Sequence, residues 1–398
     1  MADADSLTLR LIDGVGRVSE AAWDDCAGAD NPFVSHAFLK ALEDSRSVGG
    51  RSGWQPRHAV LEDRAGRLLA AVPLYRKSHS YGEYVFDHGW AAAYERAGGR
   101  YYPKLQAAVP FTPVPGPRLL VAPCADREAI RQALVGGLVE LAEAEPVSSL
   151  HITFPDEGDA EALEAGGLML RTGLQYHWSN RGYGTFDDFL ADLSSRKRKA
   201  IRKERREVAE SGVTLRVLTG SAIEPSHWDA FFDFYISTSD RKWGSPYLTR
   251  AFFDALGERL ADKVALVVAE AGGRLVAGAL NLIGRDTLYG RNWGCAGDFK
   301  FLHFEACYYQ AIEFAIARGL ARVEAGAQGE HKIQRGYLPV ATYSAHWIRD
   351  PAFAAAVGDF LRRERAAVEQ ERRALCTLSP FRQGGADGTA EPEIRPAR

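Results

Sequence analysis

From residue 264 onward, apolar runs alternate with turn residues in a rhythm that predicts an antiparallel meander. Val264 to Glu270 is apolar, Ala271-Gly272-Gly273 supplies a turn, and Arg274 to Ile283 is a second run. Gly284-Arg285-Asp286 turns again, and Thr287 to Trp293 is a third run. From Leu302 the spacing becomes helical, with Phe304, Tyr308, Ala311, Ile312, Ala315 and Ile316 on one stripe and Gly319 placed to end the helix. Leu320 to Ala325 then alternates as a short returning strand. Upstream, Phe186, Phe189, Leu190 and Leu193 open a helix predicted to run to Ser211 through a dense basic stretch. Gly212 stops it, and Val213 to Leu218 reads as a further strand.

The pattern occurs twice. Ala37-Phe38-Leu39-Lys40-Ala41-Leu42 resembles Ala251-Phe252-Phe253-Asp254-Ala255-Leu256, and Gly66-Arg67-Leu68-Leu69-Ala70-Ala71 resembles Gly273-Arg274-Leu275-Val276-Ala277-Gly278. Tyr81-Gly82 with Trp90 then parallels Tyr289-Gly290 with Trp293, which puts His88, Trp90, Arg291 and Trp293 near equivalent hairpin ends, facing one another across an interface. A chain of 398 residues exceeds what one core usually supports. Two units are therefore predicted, residues 1–181 and 182–378, the second opening with the basic helix 186–211. Residues 379–398, rich in Pro, Gly and charge, read as a disordered tail.

With 46% hydrophobic and 25% charged residues the composition is that of a globular chain. The formal charge of -3 argues against a DNA-binding surface, so a polyanion must be met locally. Five scattered cysteines form no Cys-x-x-Cys pair, and no metal-ligand spacing stands out. An acidic N-terminus and the lack of a long apolar run predict a cytoplasmic protein without an integral membrane segment, with peripheral membrane contact left open.

Two longer motifs carry a family resemblance. Tyr101-Tyr102-Pro103-Lys104-Leu105 followed by Pro110-Phe111-Thr112-Pro113-Val114-Pro115-Gly116-Pro117-Arg118 is the first; the run from Glu324 through Gln328-Gly329-Glu330-His331-Lys332 to Arg335-Gly336-Tyr337-Leu338-Pro339 is the second. Over about Asn31 to Ile348 the chain resembles the FemAB-like predicted N-acyltransferases, often labelled peptidoglycan biosynthesis or recognition proteins. The resemblance implies an α+β fold of tandem acetyltransferase-like (GNAT) domains, each a mixed, mostly antiparallel sheet flanked by helices. It also implies transfer of an acyl or aminoacyl group to an amine, with a peptidoglycan precursor as one acceptor. The co-substrate would be an acyl-CoA or an aminoacyl-tRNA, with no tightly bound cofactor.

That chemistry needs a proton acceptor, because free amines are protonated below pKa values of about 8 to 10, and it needs donors for a developing oxyanion. Glu324 ends a predicted strand, and Gln328, Glu330, His331, Lys332 and Arg335 follow on a glycine-bordered loop. Glu330 or His331 can take the proton, with Glu324 as a third catalytic candidate. Lys332 or Arg335 can hold phosphate or an oxyanion, and Gln328 is a substrate contact. A solvated polar turn is the competing reading.

The basic stretch places eight Lys or Arg in the eleven positions Arg196 to Arg206, and Arg198, Lys199, Arg202 and Arg205 are its predicted phosphate ligands. Such a stretch suits tRNA, a nucleotide-linked precursor or anionic lipid. Tyr101, Tyr102, Lys104 and Arg118, in a proline-stiffened segment, are expected to wall a substrate cleft, with Arg291 and Trp293 as further contacts. Gly297-Asp298-Phe299 carries one glycine and an aspartate where a coenzyme A site has a glycine-rich turn, which speaks against coenzyme A in this copy. A non-catalytic protein that binds a phosphate-bearing cell-wall or lipid precursor is the alternative function.

Overall fold

The computed structural model describes residues 7–124, 126–241, 246–326 and 329–382. The meander forms where the apolar runs place it, as antiparallel strands Val264–Ala271, Arg274–Ile283 and Thr287–Cys295, with Val213–Thr219 paired outside the first. Gly272 and Gly273 both adopt positive φ, 56° and 72°, which lets Ala271 face Arg274 across a two-residue turn. The following helical segment runs from Leu302 to Ala317 and contains a π-turn at Glu305–Tyr309. Arg322–Glu324 then returns parallel to Thr287–Tyr289. Meander, helix and parallel return make this half an acetyltransferase-like unit.

The first half repeats the arrangement with its strands broken. Pro73, which has no N–H to give a ladder, divides Leu68–Val72 from Leu74–Lys77. The former joins a four-stranded sheet with Thr8–Ile12, His58–Glu62 and Leu120–Val121; the latter pairs with Trp54–Pro56 and Lys104–Ala107. Ser149–Thr153 lies parallel to Lys104–Ala107, as Arg322–Glu324 does to Thr287–Tyr289.

Each half is then completed by a strand from the other. Met169–Ser179 pairs with Arg322–Glu324, and Leu338–Ile348 pairs with Ser149–Thr153. These two long strands also pair with each other, from Leu338 opposite His177 to His346 opposite Met169. Among the described residues the result is one eleven-stranded sheet running through both halves. The repeated helices also meet, His36–Asp44 against Arg250–Arg259, with the Phe38 and Phe252 rings 5.8 Å apart. Residues before and after position 182 are therefore interlocked. The helix Pro351–Cys376 packs on both exchanged strands.

Three local expectations need correction. The helix predicted over 186–211 is two helices, Phe186–Asp192 and Ser195–Glu210, because the buried Leu193 turns extended and bridges Phe381. That bridge also ties residues 379–382 to the body of the protein, while 383–398 lie outside the described residues. Trp90 is in the helix His88–Arg96, packed edge-on to His346 at 4.9 Å, so it is not the strand-end equivalent of Trp293. The break at Pro73 and the short strands beyond it displaced that part of the repeat.

Candidate active site

The parallel pairing of Thr287–Cys295 with Arg322–Glu324 stops at Tyr289, where the two strands diverge. From Gly290 to Trp293, no strand among the described residues covers that edge of Thr287–Cys295, so the alternate backbone N–H and C=O groups there have no strand partner. A bulge sharpens the divergence: Asn281 faces Gly290 and Leu280 faces Asn292, leaving Arg291 as the extra residue. Gly290 sits at the apex, where a Cβ would come within 3.2 Å of the Glu324 carbonyl oxygen. The wedge opens into a cleft of about 560 Å³. Asn281, Arg291, Asn292 and Trp293 line it from the sheet, His303 and Tyr308 from the π-turn segment, Phe111 and Tyr84 from the first half, and His331 and Lys332 from the second motif.

His331 and Lys332 belong to a short 3-10 turn, Glu330–Arg335. Gly329 precedes it at φ 120°, and a Cβ there would lie 2.5 Å from the His331 ring, so only glycine lets the imidazole fold back over the chain. The His331 Nε2 is 2.9 Å from the Tyr308 hydroxyl. Partial desolvation, then Lys332 and Arg335, lower the His331 pKa, which leaves a neutral imidazole at pH 7 able to accept a proton. Lys332 is 2% exposed; its ammonium donates to the Gly326 carbonyl at 3.0 Å, and burial brings its pKa down to about 8. It is a fixed cation in the cleft wall at neutral pH. Arg291 donates to the Phe111 carbonyl and, at 3.3 Å, to the Thr112 hydroxyl, joining the halves across the cleft mouth.

A family model described as FemAB-like, peptidoglycan biosynthesis/recognition, matches residues 14–383. The chain belongs to this FemAB-like family. No curated protein matches its sequence. Among solved structures it is similar to FemX, at 11% identity, with 86% of this chain and 98% of that chain covered and a TM-score of 0.54. It is also similar to L-PGS from Bacillus licheniformis, at 11% identity, 81% and 95% coverage and a TM-score of 0.50. A conserved protein of unknown function from Bacteroides thetaiotaomicron shares 14% identity, with 86% and 100% coverage and a TM-score of 0.51. At these identities the likeness is one of fold. Among the described residues, no helix is long and apolar enough to cross a membrane.

This FemAB-like chain brings only part of the expected site together. His331, Lys332, Arg291 and Trp293 line the cleft; Glu330 lines a neighbouring pocket instead. Glu324 lines neither cavity: it is buried beside His177 (3.8 Å) and Arg322 (4.0 Å), and burial pushes its carboxyl up to about 8. Gln328 lies outside the described residues. Arg335 is held by Glu204 at 3.0 Å and stacks over Phe304, so it braces the turn against the basic helix and is not free to hold a ligand.

Tyr101, Tyr102, Lys104 and Arg118 do not wall the cleft. Lys104 is fully buried against Glu83 (2.7 Å) and Asp87, and Tyr101 donates to Asp87 at 2.7 Å. Tyr102 bonds Ser80 at 2.8 Å, and Arg118 donates to four backbone carbonyls. Only Phe111 of that proline-rich segment reaches the cleft. On the basic helix, Arg205 is committed to Glu305 and Glu313, Arg202 to Asp187 (2.9 Å), and Arg198 lies 3.5 Å from the Ala191 carbonyl; Lys199 is exposed. Sequence reasoning missed Tyr308, whose helical spacing marked it as core, and Asn292, which a bulge turns into the cleft.

Proposed function

We propose that the protein is an N-acyltransferase that moves an acyl or aminoacyl group from an activated donor to an amine. The observation that carries this reading is the wedge itself: an uncovered strand edge that ends at a neutral His331–Tyr308 pair and a buried Lys332 ammonium. In the proposed step His331 takes a proton from the acceptor ammonium, and the freed amine attacks the donor carbonyl. Charge then develops on the carbonyl oxygen, where Lys332 or N–H groups of the uncovered edge can stabilise it; removing one such donor typically costs about 3–4 kcal/mol of barrier. Collapse expels the donor's oxygen or sulfur leaving group, which takes up a proton.

An aminoacyl-tRNA fits better than coenzyme A as donor. Arg196, Lys197 and Arg198 stand in the first turn of Ser195–Glu210, where their charge adds to the positive end of the helix dipole and attracts an anion. The same helix is tied to the site through Glu204 and Arg335. A peptidoglycan precursor is the proposed acceptor, consistent with the family description. The test is a thermal-shift and transfer assay with charged tRNA, acyl-CoA thioesters and nucleotide-linked muropeptides. A ligand at about 100 dissociation constants should stabilise the protein by about 2.7 kcal/mol. If neither donor class shifts the melting temperature or yields an acylated amine at saturation, the transferase reading fails; a muropeptide shift without transfer would favour the binding-protein alternative.

A further inference from the structure

Exposed aromatic side chains gather at the mouth of the cleft. Tyr81 and Phe86 are 63% and 59% exposed, and Tyr84, between them in the chain, lines the cleft together with Tyr247. The neighbouring imidazoles join these rings into a row: His79 lies 5.1 Å from Tyr81, Tyr81 6.0 Å from His88, and His88 6.4 Å from Phe86 in a stacked pair. Phe111 backs Tyr247 in a parallel stack at 4.8 Å, and Tyr247 is still exposed. Burial, then Tyr84, Tyr235 and Tyr81, raise the Tyr247 phenol, so these hydroxyls share one patch.

The buried charges of the first half, which the proposed reaction does not use, hold this loop in place. Glu83 and Asp87 turn inward onto Lys104, and Ser80 accepts from the same ammonium at 2.8 Å. The Tyr81 carbonyl accepts from Lys77 at 3.1 Å and from the Trp54 indole at 3.2 Å. Tyr84 adopts a φ of 60°, a strained conformation for a bulky residue that persists only where its surroundings fix it. Carboxylates thus face inward and rings outward, the reverse of an ordinary surface loop. Exposed apolar groups ordered in this way mark a contact surface.

The chemistry of the row selects its partner. The exposed side chains of residues 78–88 are rings and one serine, without the exposed aliphatic chains and the Lys or Arg of an element that lies in a lipid interface. Every nucleobase has a π face, and a row of rings suits a run of unpaired bases better than a single one. Tyr84 makes the row continuous with the cleft. Arg51 adds a cation for a phosphate: it is exposed, in no ion pair among the described residues, and two positions before Gly53, where a Cβ would strike the His79 ring.

We propose that residues 78–88 form a stacking shelf for a short run of unpaired RNA, the end of the donor that carries the aminoacyl group into the cleft. The inference rests on the transferase reading and its RNA-borne donor, for which it supplies the surface that docks the unpaired nucleotides.

The experiment follows the fluorescence anisotropy of a labelled, unacylated RNA pentamer ending in CCA on the full-length protein. An abasic pentamer with the same ribose-phosphate chain is the comparison, and uridine diphosphate is a competitor. The RNA should bind saturably and at least about tenfold tighter than the abasic chain, a ratio that one stacked base supports. Tyr81→Ala and Phe86→Ala, at exposed positions, should each weaken it by about five- to a hundredfold, whereas Tyr81→Phe, which keeps the ring, should not. Arg51→Gln should lower the slope of log K against log salt by about 0.7. Leu378→Ala, exposed in the other half, should change nothing. Equal binding of the two pentamers, or RNA binding that survives the double variant Tyr81→Ala/Phe86→Ala, overturns the proposal. Uridine diphosphate binding as tightly as the pentamer overturns it in favour of a single-nucleotide site. Ring-dependent adsorption to phosphatidylglycerol vesicles without RNA binding overturns it in favour of a membrane face. Failure here leaves transfer from a charged donor untouched, whereas ring-dependent RNA binding in a protein that transfers nothing from any donor overturns the transferase reading and keeps the shelf.

Discussion

The two halves treat the same point of their topology in opposite ways. In the second, Thr287–Cys295 leaves its parallel neighbour at Tyr289 and the gap stays open. In the first, Lys104–Ala107 is parallel to Ser149–Thr153 only through Ala107, and the chain's own residues 110–118 close the gap beyond. Gly116 resumes the pairing at Pro155, and Arg118, 1% exposed, fixes the plug by donating to Thr153 at 3.0 Å and Val114 at 2.7 Å. Beside it the lysines Lys77 and Lys104 face the carboxylates Glu83 and Asp87. Burial alone would raise Asp87, but the Lys104 ammonium brings it below the usual carboxylate range. One copy has thus satisfied its charges internally and cannot offer them to a ligand. The other keeps a strand edge and polar side chains open to one.

The sharpest way to break this comparison is to delete one polar group on each side. His331→Asn should fold normally, because the residue is exposed, yet lose turnover by roughly 10²–10⁴-fold, the range a general base supplies. Unchanged kcat in a correctly folded variant would remove the proton-transfer role. Lys104→Met should do the reverse. It takes the ammonium from Asp87 and leaves Glu83 with Lys77 alone, at 3.7 Å, and breaking such a buried pair costs about 3–5 kcal/mol of stability. Denaturant titration reads that loss, while kcat per folded molecule should hold. A variant that kept its stability but lost its rate would make the first half a site after all.

This contrast also marks what the sequence can and cannot convey. The meander at 264–293, the helix from Leu302 and the strand at Glu324 follow from periodicity, since each is decided by which face is buried. The strand exchange is not local: Met169–Ser179 and Leu338–Ile348 have the patterns of ordinary strands, and nothing in them states which half each completes. Lys104 and Arg118 looked functional because charge in an unusual motif is the same letter whether it meets a ligand or a buried carboxylate. His331 and Lys332 were legible, in a polar run bordered by glycines. Asn292 and Tyr308 were not, since a bulge and a π-turn re-aim side chains that regular spacing assigns to sheet and core.

Glu324 gives a smaller effect with a definite sign. Its ordinary value is 4.5 and burial pushes it to about 8, so the unfolded chain ionises first as pH rises. The neutral buried form therefore contributes stability fully below about pH 4.5, and that contribution is lost as pH climbs through about 8. Glu324→Gln removes this dependence. Relative to wild type at pH 5 the variant should gain stability on going to pH 8, by on the order of 3 kcal/mol. Urea melts of both proteins at the two pH values measure it. Identical pH slopes would show that Glu324 is ionised in the fold and that the wedge apex is not dry.

The smallest effect separates two buried lysines, one from each half. Burial lowers Lys77 to about 7 and Lys332 to about 8, from an ordinary 10.5. For both, the unfolded chain binds more protons between the folded value and 10.5, so each contribution to stability rises with pH across that window. Only Lys332 lines the cleft. If its charge stabilises the transition state, kcat/KM should hold through pH 7, where Lys77 is losing its proton, and fall about tenfold one unit above the Lys332 value. The denaturation midpoint should not drop in parallel, which distinguishes titration at the cleft from alkaline unfolding. Lys332→Met should be slow at every pH and lack this basic limb, because no charge remains to be lost there. A basic limb that persisted unchanged in that variant would assign the titration to another group and leave Lys332 as a structural cation like its counterpart in the plugged half.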